Sequence, residues 1–187
     1  LLRMHGEAIG IAKNFTILDS SEAESILKSA VETVNNSFFK DKTHPKPGPL
    51  SSVISMARNT CTTIEETIVT YFPQHHELID QIQSFSEVYA KRKAEHQVVD
   101  YDDLLVFWLK LMDAAPEIKE HYNKRFQHTL VDEYQDTNTL QARIVDTMGA
   151  NHQIMAVGDD AQCIYSWRGA NYENILTFPD RHPGTNI

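Results

Sequence analysis

Apolar residues recur at helical spacing through the first two thirds of the chain. Ser21 and Glu24 have the spacing of a capping box and precede a first stripe, and a longer second stripe follows later. The stripes are Ile26, Leu27, Ala30, Val31 and Val34, then Leu78, Ile82, Phe85 and Tyr89. Three prolines between Thr43 and Pro49 predict a loop between these helices. The basic run Lys91–Lys93 closes the second stripe, where cations suit a solvated helix C-terminus.

A further helix is expected after Asp100, a residue type that caps helix N-termini. Its predicted buried stripe is Leu104, Leu105, Trp108, Leu111 and Met112. After about residue 126 the pattern changes to short β-prone runs, Thr129–Val131 and Gln153–Val157, each followed by acids. Between them lies a helical stripe, and Gly149 is predicted as the C′ residue that follows this helix. Strand, helix and strand of this length predict a βαβ unit with parallel strands.

Composition narrows the class of protein. The 187 residues are 41% hydrophobic and 23% charged, which is typical of a chain that folds around a core. No apolar run approaches the roughly 20 residues of a membrane span, so we expect no membrane partner. Cys61 and Cys163 are too few for a disulfide framework or a cysteine-based zinc site, which favours the cytoplasm. The net charge of −9 excludes a generally basic nucleic-acid binder but leaves room for a local binding groove.

Acidic residues directly follow both predicted strands. Ligands of open α/β sheets bind at the carboxyl ends of the strands, so Asp132–Glu133 and Asp159–Asp160 are expected at one crevice. Asp132 is suited to hold Mg²⁺, and Glu133 to orient or deprotonate a water. An isolated acidic pair at a strand end is more often a solvated turn or a cap. The surrounding sequence is therefore needed to interpret these acids.

That sequence is distinctive. Residues 130–138 read LVDEYQDTN, and residues 157–170 read VGDDAQCIYSWRGA. They resemble motifs II and III of the UvrD/Rep/PcrA-like family of superfamily 1 DNA helicases, in the family's order and at its short separation. Weaker resemblance covers VDYDDLL at residues 99–105 and NFTILD at residues 14–19. Tyr134 and Cys163 depart from the family, which usually has Phe and Ser there.

The resemblance implies a role for each matching residue. It assigns catalysis to Glu133 and Gln162, and metal binding to Asp132. It assigns nucleotide binding to Asp132, Gln135 and Gln162. It assigns contact with single-stranded DNA to Tyr165, Trp167 and Arg168. Asp132 would ligate the Mg²⁺ of MgATP, Glu133 would activate water, and Gln162 would sense the γ-phosphate. These residue types suit the roles, since an amide can hydrogen-bond a phosphate without adding charge and aromatic rings stack on any base.

The family also implies an α/β fold, with a partial RecA-like parallel sheet of the P-loop NTPase type and a mostly α-helical inserted subdomain. Residues 1–17 would end a first motor segment, 18–98 would form the helical insertion (1B-like), and 99–187 would be the ATPase segment with motifs II and III. The implied parent is an ATP-dependent helicase. It would move 3′-to-5′ along single-stranded DNA and unwind duplex DNA in DNA repair, replication restart or recombination.

A phosphate-binding Walker A loop does not occur in these residues, because none of the seven glycines is followed by lysine. We therefore expect the chain to be a middle piece of a longer helicase and inactive alone. Its partners would include the remainder of that chain, namely the Walker A segment and the second motor domain.

The sequence leaves two other functions open. The helical region could belong to a non-catalytic DNA- or protein-binding module, which ATP turnover by the full-length parent would exclude. Asp132, Asp136, Asp159 and Asp160 could instead serve a metal-dependent nuclease. The Gln162–Arg168 string has no evident use in such a nuclease.

Overall fold

A computed structural model describes residues 1–149, 153–163, 169–171 and 173–187. These residues form two compact units, Leu1–Phe107 and Trp108–Ile187. Helices dominate, and the strands form two small parallel pairs. The α/β class predicted from the sequence is confirmed in this form. Across the described ranges, no helix is both long and apolar enough to cross a lipid bilayer.

The first unit consists mainly of helices and two short strands. They are, in chain order, α1 (Leu2–His5), β1 (Thr16–Ile17), α2 (Ser20–Val34), α3 (Pro47–Thr60), α4 (Ile64–Tyr71), α5 (Ile79–Glu95), β2 (Val98–Val99) and the start of α6 (Tyr101–Ala114). The second unit holds the rest of α6, α7 (Pro116–Arg125), β3 (His128–Val131), α8 (Thr139–Gly149), β4 (Gln153–Ala156), α9 (Glu173–Leu176) and α10 (Phe178–Arg181).

The helix α2 begins earlier than the capping box predicted at Ser21 and Glu24. Its N-cap is Asp19, whose Oδ1 accepts the Glu22 N–H at 2.8 Å, while Glu22 Oε2 accepts the Asp19 N–H at 2.9 Å. An aspartate satisfies the first free N–H groups as well as serine does, and its charge also complements the positive end of the helix dipole. The predicted cap was therefore wrong by two residues.

The predicted proline-rich loop ends sooner than expected. Pro47 and Pro49 lie in the first turn of α3, so the prediction of a loop up to Pro49 was wrong. N–H groups in the first turn of a helix have no intrahelical acceptor, and proline loses nothing by lacking one there.

The core of the first unit lies between α2, α3, α4 and α5. Leu27, Ala30 and Val31 of the first predicted stripe are buried, as are Ile82, Phe85 and Tyr89 of the second. Val34 is 42% exposed because α2 ends there. The helical periodicity thus predicted the buried faces well, except at this helix end.

The first unit also contains two short strands that the sequence did not predict. Thr16 and Ile17 of β1 pair in parallel with Val98 and Val99 of β2, and the Leu18 N–H donates to the Val99 carbonyl at 2.8 Å. A two-residue strand is too short to show periodicity. The pairing brings residues 16–17 and 98–99, which flank the long helical segment, side by side.

The basic end of α5 is not simply solvated, contrary to the prediction for Lys91–Lys93. Lys93 is only 3% exposed, and its Nζ lies 2.5 Å from a carboxylate oxygen of both Asp100 and Asp103. Arg58 Nη1 lies 3.0 Å from Asp100 and 3.2 Å from Asp103. We call Arg58, Lys93, Asp100 and Asp103 the buried charge cluster. Its two cations balance its two carboxylates, as a buried set of charges requires.

Asp100 also has its predicted role at the start of α6. Its Oδ1 accepts the Asp103 N–H at 2.8 Å, and Asp103 Oδ2 accepts the Asp100 N–H at 3.0 Å. Leu111 and Met112 of the predicted stripe are buried, whereas Trp108 is half-buried. The cap and part of the predicted face are therefore confirmed.

The second unit contains the predicted βαβ arrangement. Strands β3 and β4 pair in parallel from His128 opposite Gln153 to Val131 opposite Ala156, and α8 lies between them in sequence. Gly149, predicted as the residue after the helix, is instead the last residue of α8. A Cβ there would lie 1.6 Å from Cδ1 of Ile154, so any side chain at this position would force the Ile154 side chain to move.

Candidate functional site

Both acidic segments leave the sheet at one edge. Beyond the last strand pair, the Val157 N–H donates to the Val131 carbonyl at 2.8 Å, and the Tyr134 N–H donates to the Val157 carbonyl at 2.9 Å. These bonds hold the chain after β3 against the chain after β4. The predicted meeting of the two segments at the carboxyl ends of parallel strands is therefore observed.

Asp132 and Glu133 are both exposed at this edge. The Glu133 backbone has φ 51° and ψ 41°, in the left-handed region, and its N–H donates to Asp132 Oδ1 at 2.9 Å. For a residue other than glycine this conformation costs about 1–2 kcal/mol and often marks functional sites. No pattern in the sequence indicates it. The turn that it starts, Tyr134–Asp136, places Gln135 beside the Glu133 side chain.

Gln135 joins the two segments from inside the protein. It is 1% exposed, and its Nε2 donates to Glu133 Oε2 at 2.7 Å. Its Oε1 accepts the Asp159 N–H at 3.1 Å, and its carbonyl accepts a hydrogen bond from Cys163 Sγ at 3.3 Å. One buried side chain thus contacts both halves of the candidate site.

The segment after β4 forms a short exposed turn. The Asp159 carboxylate accepts the Ala161 N–H at 3.0 Å and Gln162 Nε2 at 2.9 Å. The hydrogen bonds therefore run without a break from Glu133 through Gln135 and Asp159 to Gln162. The structure brings these residues together, although the sequence motifs that contain them are separate.

Tyr134 anchors the first segment in the unit's core. Its ring is fully buried and packs edge-on against Phe178, with ring centroids 5.4 Å apart. Its hydroxyl accepts a hydrogen bond from Arg181 Nη2 at 2.9 Å, and Arg181 also pairs with Asp146 at 3.1 Å. Burial raises the pKa of Tyr134 more than Arg181 lowers it, so the hydroxyl stays neutral. The departure from phenylalanine is therefore matched by a specific partner.

The remaining polar residues of the first segment differ in role. Asn138 caps α8: its Oδ1 accepts the Gln141 N–H at 2.8 Å, and Gln141 Oε1 accepts the Asn138 N–H at 3.0 Å. Oδ1 of Asp136 is buried and has no hydrogen-bond partner among the described residues. The predicted DNA-binding residues Tyr165, Trp167 and Arg168 lie outside the described residues.

The donor atoms at this edge fit one particular kind of metal binding. In the part of the chain that the structure describes, no three His, Cys, Asp or Glu side chains are arranged to hold a metal ion. Asp132 nevertheless presents an exposed carboxylate, which is a hard oxygen donor. Mg²⁺ commonly takes one or two carboxylates and completes its shell with water and substrate phosphates. The residues therefore fit Mg²⁺ that arrives with a phosphate ligand.

Comparison with known proteins identifies the family. The family described as UvrD/REP helicase N-terminal domain matches residues 1–183. The chain belongs to this family. Over its full length, this UvrD/REP chain is 35% identical to the ATP-dependent DNA helicase PcrA of Leuconostoc citreum, 34% to that of Bacillus subtilis (strain 168) and 32% to that of Staphylococcus aureus (strain Mu50 / ATCC 700699). It spans 24%, 24% and 25% of those relatives, about a quarter of their length.

UvrD/REP membership confirms the resemblance seen in the two motifs. The match extends across both units, including the helical segment, where the sequence resembled the family only loosely. Two features of the UvrD/REP chain could not be found from its motifs. The left-handed Glu133 backbone and the buried contacts of Gln135 depend on how β3 and β4 end side by side.

Proposed function

We propose that the protein containing this chain is an ATP-dependent DNA helicase of the cytoplasm. It moves 3′-to-5′ along single-stranded DNA and couples ATP hydrolysis to duplex unwinding in DNA repair, replication restart or recombination. The hydrogen-bonded set of Glu133, Gln135, Asp159 and Gln162 at one sheet edge carries this proposal. The PcrA relatives, which are named ATP-dependent DNA helicases, support it.

Three residues divide the work at the nucleotide in this proposal. Glu133 takes a proton from the water that attacks the γ-phosphate, and Gln162 donates its amide N–H to a γ-phosphate oxygen. Asp132 holds Mg²⁺, which supplies positive charge to the phosphate oxygens when it is bound. Exposure of all three side chains is compatible with direct contact to a ligand.

The proposed fold is the RecA-like parallel sheet of P-loop NTPases, of which β3 and β4 are two strands. Leu130 and Met155 on one face of this pair are 74% and 57% exposed, whereas parallel sheets are normally covered on both faces. The remainder of the helicase chain, with the Walker A segment and the second motor domain, would cover and complete it. This supports a motor that these 187 residues do not form alone.

The proposed domain division is 1–17, 18–98 and 99–187. The pairing of β1 with β2 supports residues 18–98 as a helical insertion, because the chain returns at 98–99 to the strand that it left at 16–17. Tyr165, Trp167 and Arg168 are proposed to lie on the path of single-stranded DNA, where aromatic rings stack on bases and arginine contacts phosphates.

The full-length protein tests the proposal. We expect it to hydrolyse ATP faster with single-stranded DNA and to unwind duplexes that carry a 3′ tail in preference to a 5′ tail. A non-catalytic DNA- or protein-binding module would turn over no ATP, and a nuclease would cleave the strands. We expect the 187-residue chain alone to turn over no ATP, since it lacks a phosphate-binding loop.

A single substitution then tests the catalytic assignment. Glu133→Gln should keep ATP binding but lower hydrolysis on the order of 10²-fold or more, because an amide cannot take the proton. The matched control is Glu120→Gln on α7, whose exposed carboxylate pairs with Lys124 at 2.7 Å. Unchanged hydrolysis in Glu133→Gln would contradict the role of Glu133.

A second substitution separates the metal from the base. Asp132→Ala should raise the Mg²⁺ concentration that half-maximal ATP hydrolysis requires, since a carboxylate ligand is removed. Equal loss of nucleotide affinity in Asp132→Ala and Glu133→Gln would show that this division of roles is wrong.

A further inference from the structure

Gln135 lies inside the protein, although the resemblance assigns its motif to the nucleotide site. Its side chain is 1% exposed, and both ends of its amide are engaged, with Nε2 on Glu133 and Oε1 on the Asp159 N–H. We propose that Gln135 is a positioning residue, which holds the Glu133 carboxylate in one place relative to the turn after β4. This inference rests on the proposed function, because it gives Gln135 a role only through Glu133.

The physical need for such a residue follows from the exposure of Glu133. A glutamate side chain on the surface samples many rotamers, and only a fraction of them would place the carboxylate next to an attacking water. The 2.7 Å bond from Gln135 restrains one carboxylate oxygen, Oε2, and leaves Oε1 for the water. A buried donor is itself fixed by packing, so the restraint is transmitted from the core to the surface.

Glutamine is the residue type that these contacts require. The position must donate to a carboxylate at one end and accept a backbone N–H at the other, without bringing a charge inside. Glutamate lacks the donor, lysine lacks the acceptor, and asparagine is one methylene too short to span both partners. Methionine keeps the length and volume of glutamine but removes both hydrogen bonds.

A second residue is fitted to the same amide. A Cβ on Gly158 would lie 2.3 Å from Gln135 Oε1 and 2.8 Å from Cδ1 of Ile175. Any side chain at residue 158 would therefore displace the amide of Gln135. Gly158 thus provides a way to disturb the contact without changing Gln135.

The main test is Gln135→Met in the full-length protein. We expect kcat for ATP to fall about 10- to 100-fold, the loss expected when a catalytic group is misplaced by about 1 Å, while KM for ATP changes less than about threefold. The rate is expressed per nucleotide-binding site, titrated with a fluorescent non-hydrolysable ATP analogue, so that unfolded molecules are not counted. The control Gln83→Met removes an exposed amide that bonds Glu87 at 2.8 Å on α5 and should leave kcat unchanged.

A double-mutant cycle distinguishes positioning from a general structural role. In a Glu133→Gln background, adding Gln135→Met should lower kcat by less than about twofold, because the group that it positions has already lost its function. If the two losses multiply instead, Gln135 does not act through Glu133 and the inference is overturned.

Two more variants keep the test decisive if Gln135→Met fails to fold. Gln135→Asn keeps an amide that cannot reach both partners, and Gly158→Ala places a methyl group against Gln135 Oε1. Each should lower kcat per site with little change in KM. Wild-type kcat in both would overturn the inference.

Failure of this inference can be told apart from failure of the proposed function. If the wild-type full-length protein shows no DNA-stimulated ATP hydrolysis, the proposed function fails and the role of Gln135 fails with it. If the wild-type protein hydrolyses ATP normally and Gln135→Met retains the wild-type kcat, only the role of Gln135 is overturned.

Discussion

The two acidic regions of this chain are built in opposite ways. In the buried charge cluster, the carboxylates of Asp100 and Asp103 are largely buried and lie within 3.2 Å of Arg58 or Lys93. At the sheet edge the acids are exposed, and among the described residues none of them forms an ion pair with a cation. These acids are Asp132, Glu133, Asp159 and Asp160. The carboxylates of the first set are paired with cations inside the fold, whereas those of the second set leave oxygen atoms exposed to solvent, where a ligand could reach them.

Burial explains the difference. A buried carboxylate is strongly destabilising unless cations and donors replace its water. At Asp100 burial raises the pKa, but Arg58 and Lys93 outweigh it and bring the pKa to about 2. At Asp103 burial dominates, and together with neighbouring Asp100 it raises the pKa despite the two cations. An exposed acid at a strand end avoids this desolvation and can exchange its water for a metal or a phosphate-bound water.

The largest expected effect comes from breaking the buried charge cluster. Lys93→Met leaves both carboxylates short of a cation and should lower stability by about 3–5 kcal/mol. The measurement is native-state hydrogen exchange of α5 and α6 amides in the full-length protein, which reports local opening. The control Lys91→Met removes an exposed lysine that lies 3.9 Å from Glu95 and should cost less than about 0.5 kcal/mol. Equal effects of the two variants would mean that the cluster does not stabilise this region.

These two regions also show what the sequence could and could not predict. The stripe of Ile82, Phe85 and Tyr89 identified the buried face of α5, because helical periodicity records burial directly. The same reasoning misplaced Lys93. A lysine next to a helix end is ordinarily solvated, and only the return of the chain at Asp100 and Asp103 buries it.

The sequence predicted which acidic residues lie at the candidate site but not the hydrogen bonds that join them. The strand–acid pattern placed Asp132 and Asp159 at one edge, since parallel strands end together. The bond from Gln135 to Glu133 depends on the left-handed turn at Glu133, and its bond to Asp159 depends on the exact register of β3 with β4. Neither the turn nor the register leaves a periodic pattern in the sequence.

The two tryptophans offer a second comparison, because we propose that Trp167 lies on the path of single-stranded DNA and Trp108 lies on α6. Base–aromatic stacking is worth roughly 1–3 kcal/mol, so Trp167→Ala in the full-length protein should weaken single-strand binding by about 5- to 150-fold. The loss should be similar for different base sequences, and DNA-free ATP turnover should change little. Fluorescence anisotropy with labelled oligonucleotides measures the affinity.

The matched control is Trp108→Ala, because Trp108 lies on α6 and its side chain is half-buried. It should lower the melting temperature and leave DNA affinity per folded molecule unchanged. The opposite pattern, with Trp167→Ala lowering the melting temperature at unchanged DNA affinity, would place Trp167 in the core.

The smallest expected effect tests the buried charge cluster through pH. Because the folded-state pKa of Asp100 is about 2, below its ordinary value of 3.8, its stabilising contribution is complete above about pH 4 and is lost as the pH falls towards 2. Wild type should therefore exceed Asp100→Asn in stability by about 1–2 kcal/mol more at neutral pH than at pH 2. Asp103, whose pKa is raised by burial and by neighbouring Asp100, changes stability in the opposite direction with pH. Because Asp100→Asn also removes the charge that acts on Asp103, the difference between wild type and variant reports the coupled pair, with Asp100 as the group whose pKa is lowered. Urea unfolding of the full-length protein, followed by a fluorophore on the exposed Cys61, provides the measurement. A difference that stays constant from pH 7 to pH 2 would show that Arg58 and Lys93 do not hold Asp100 ionised, and the contrast between the two acidic regions would then rest on burial alone.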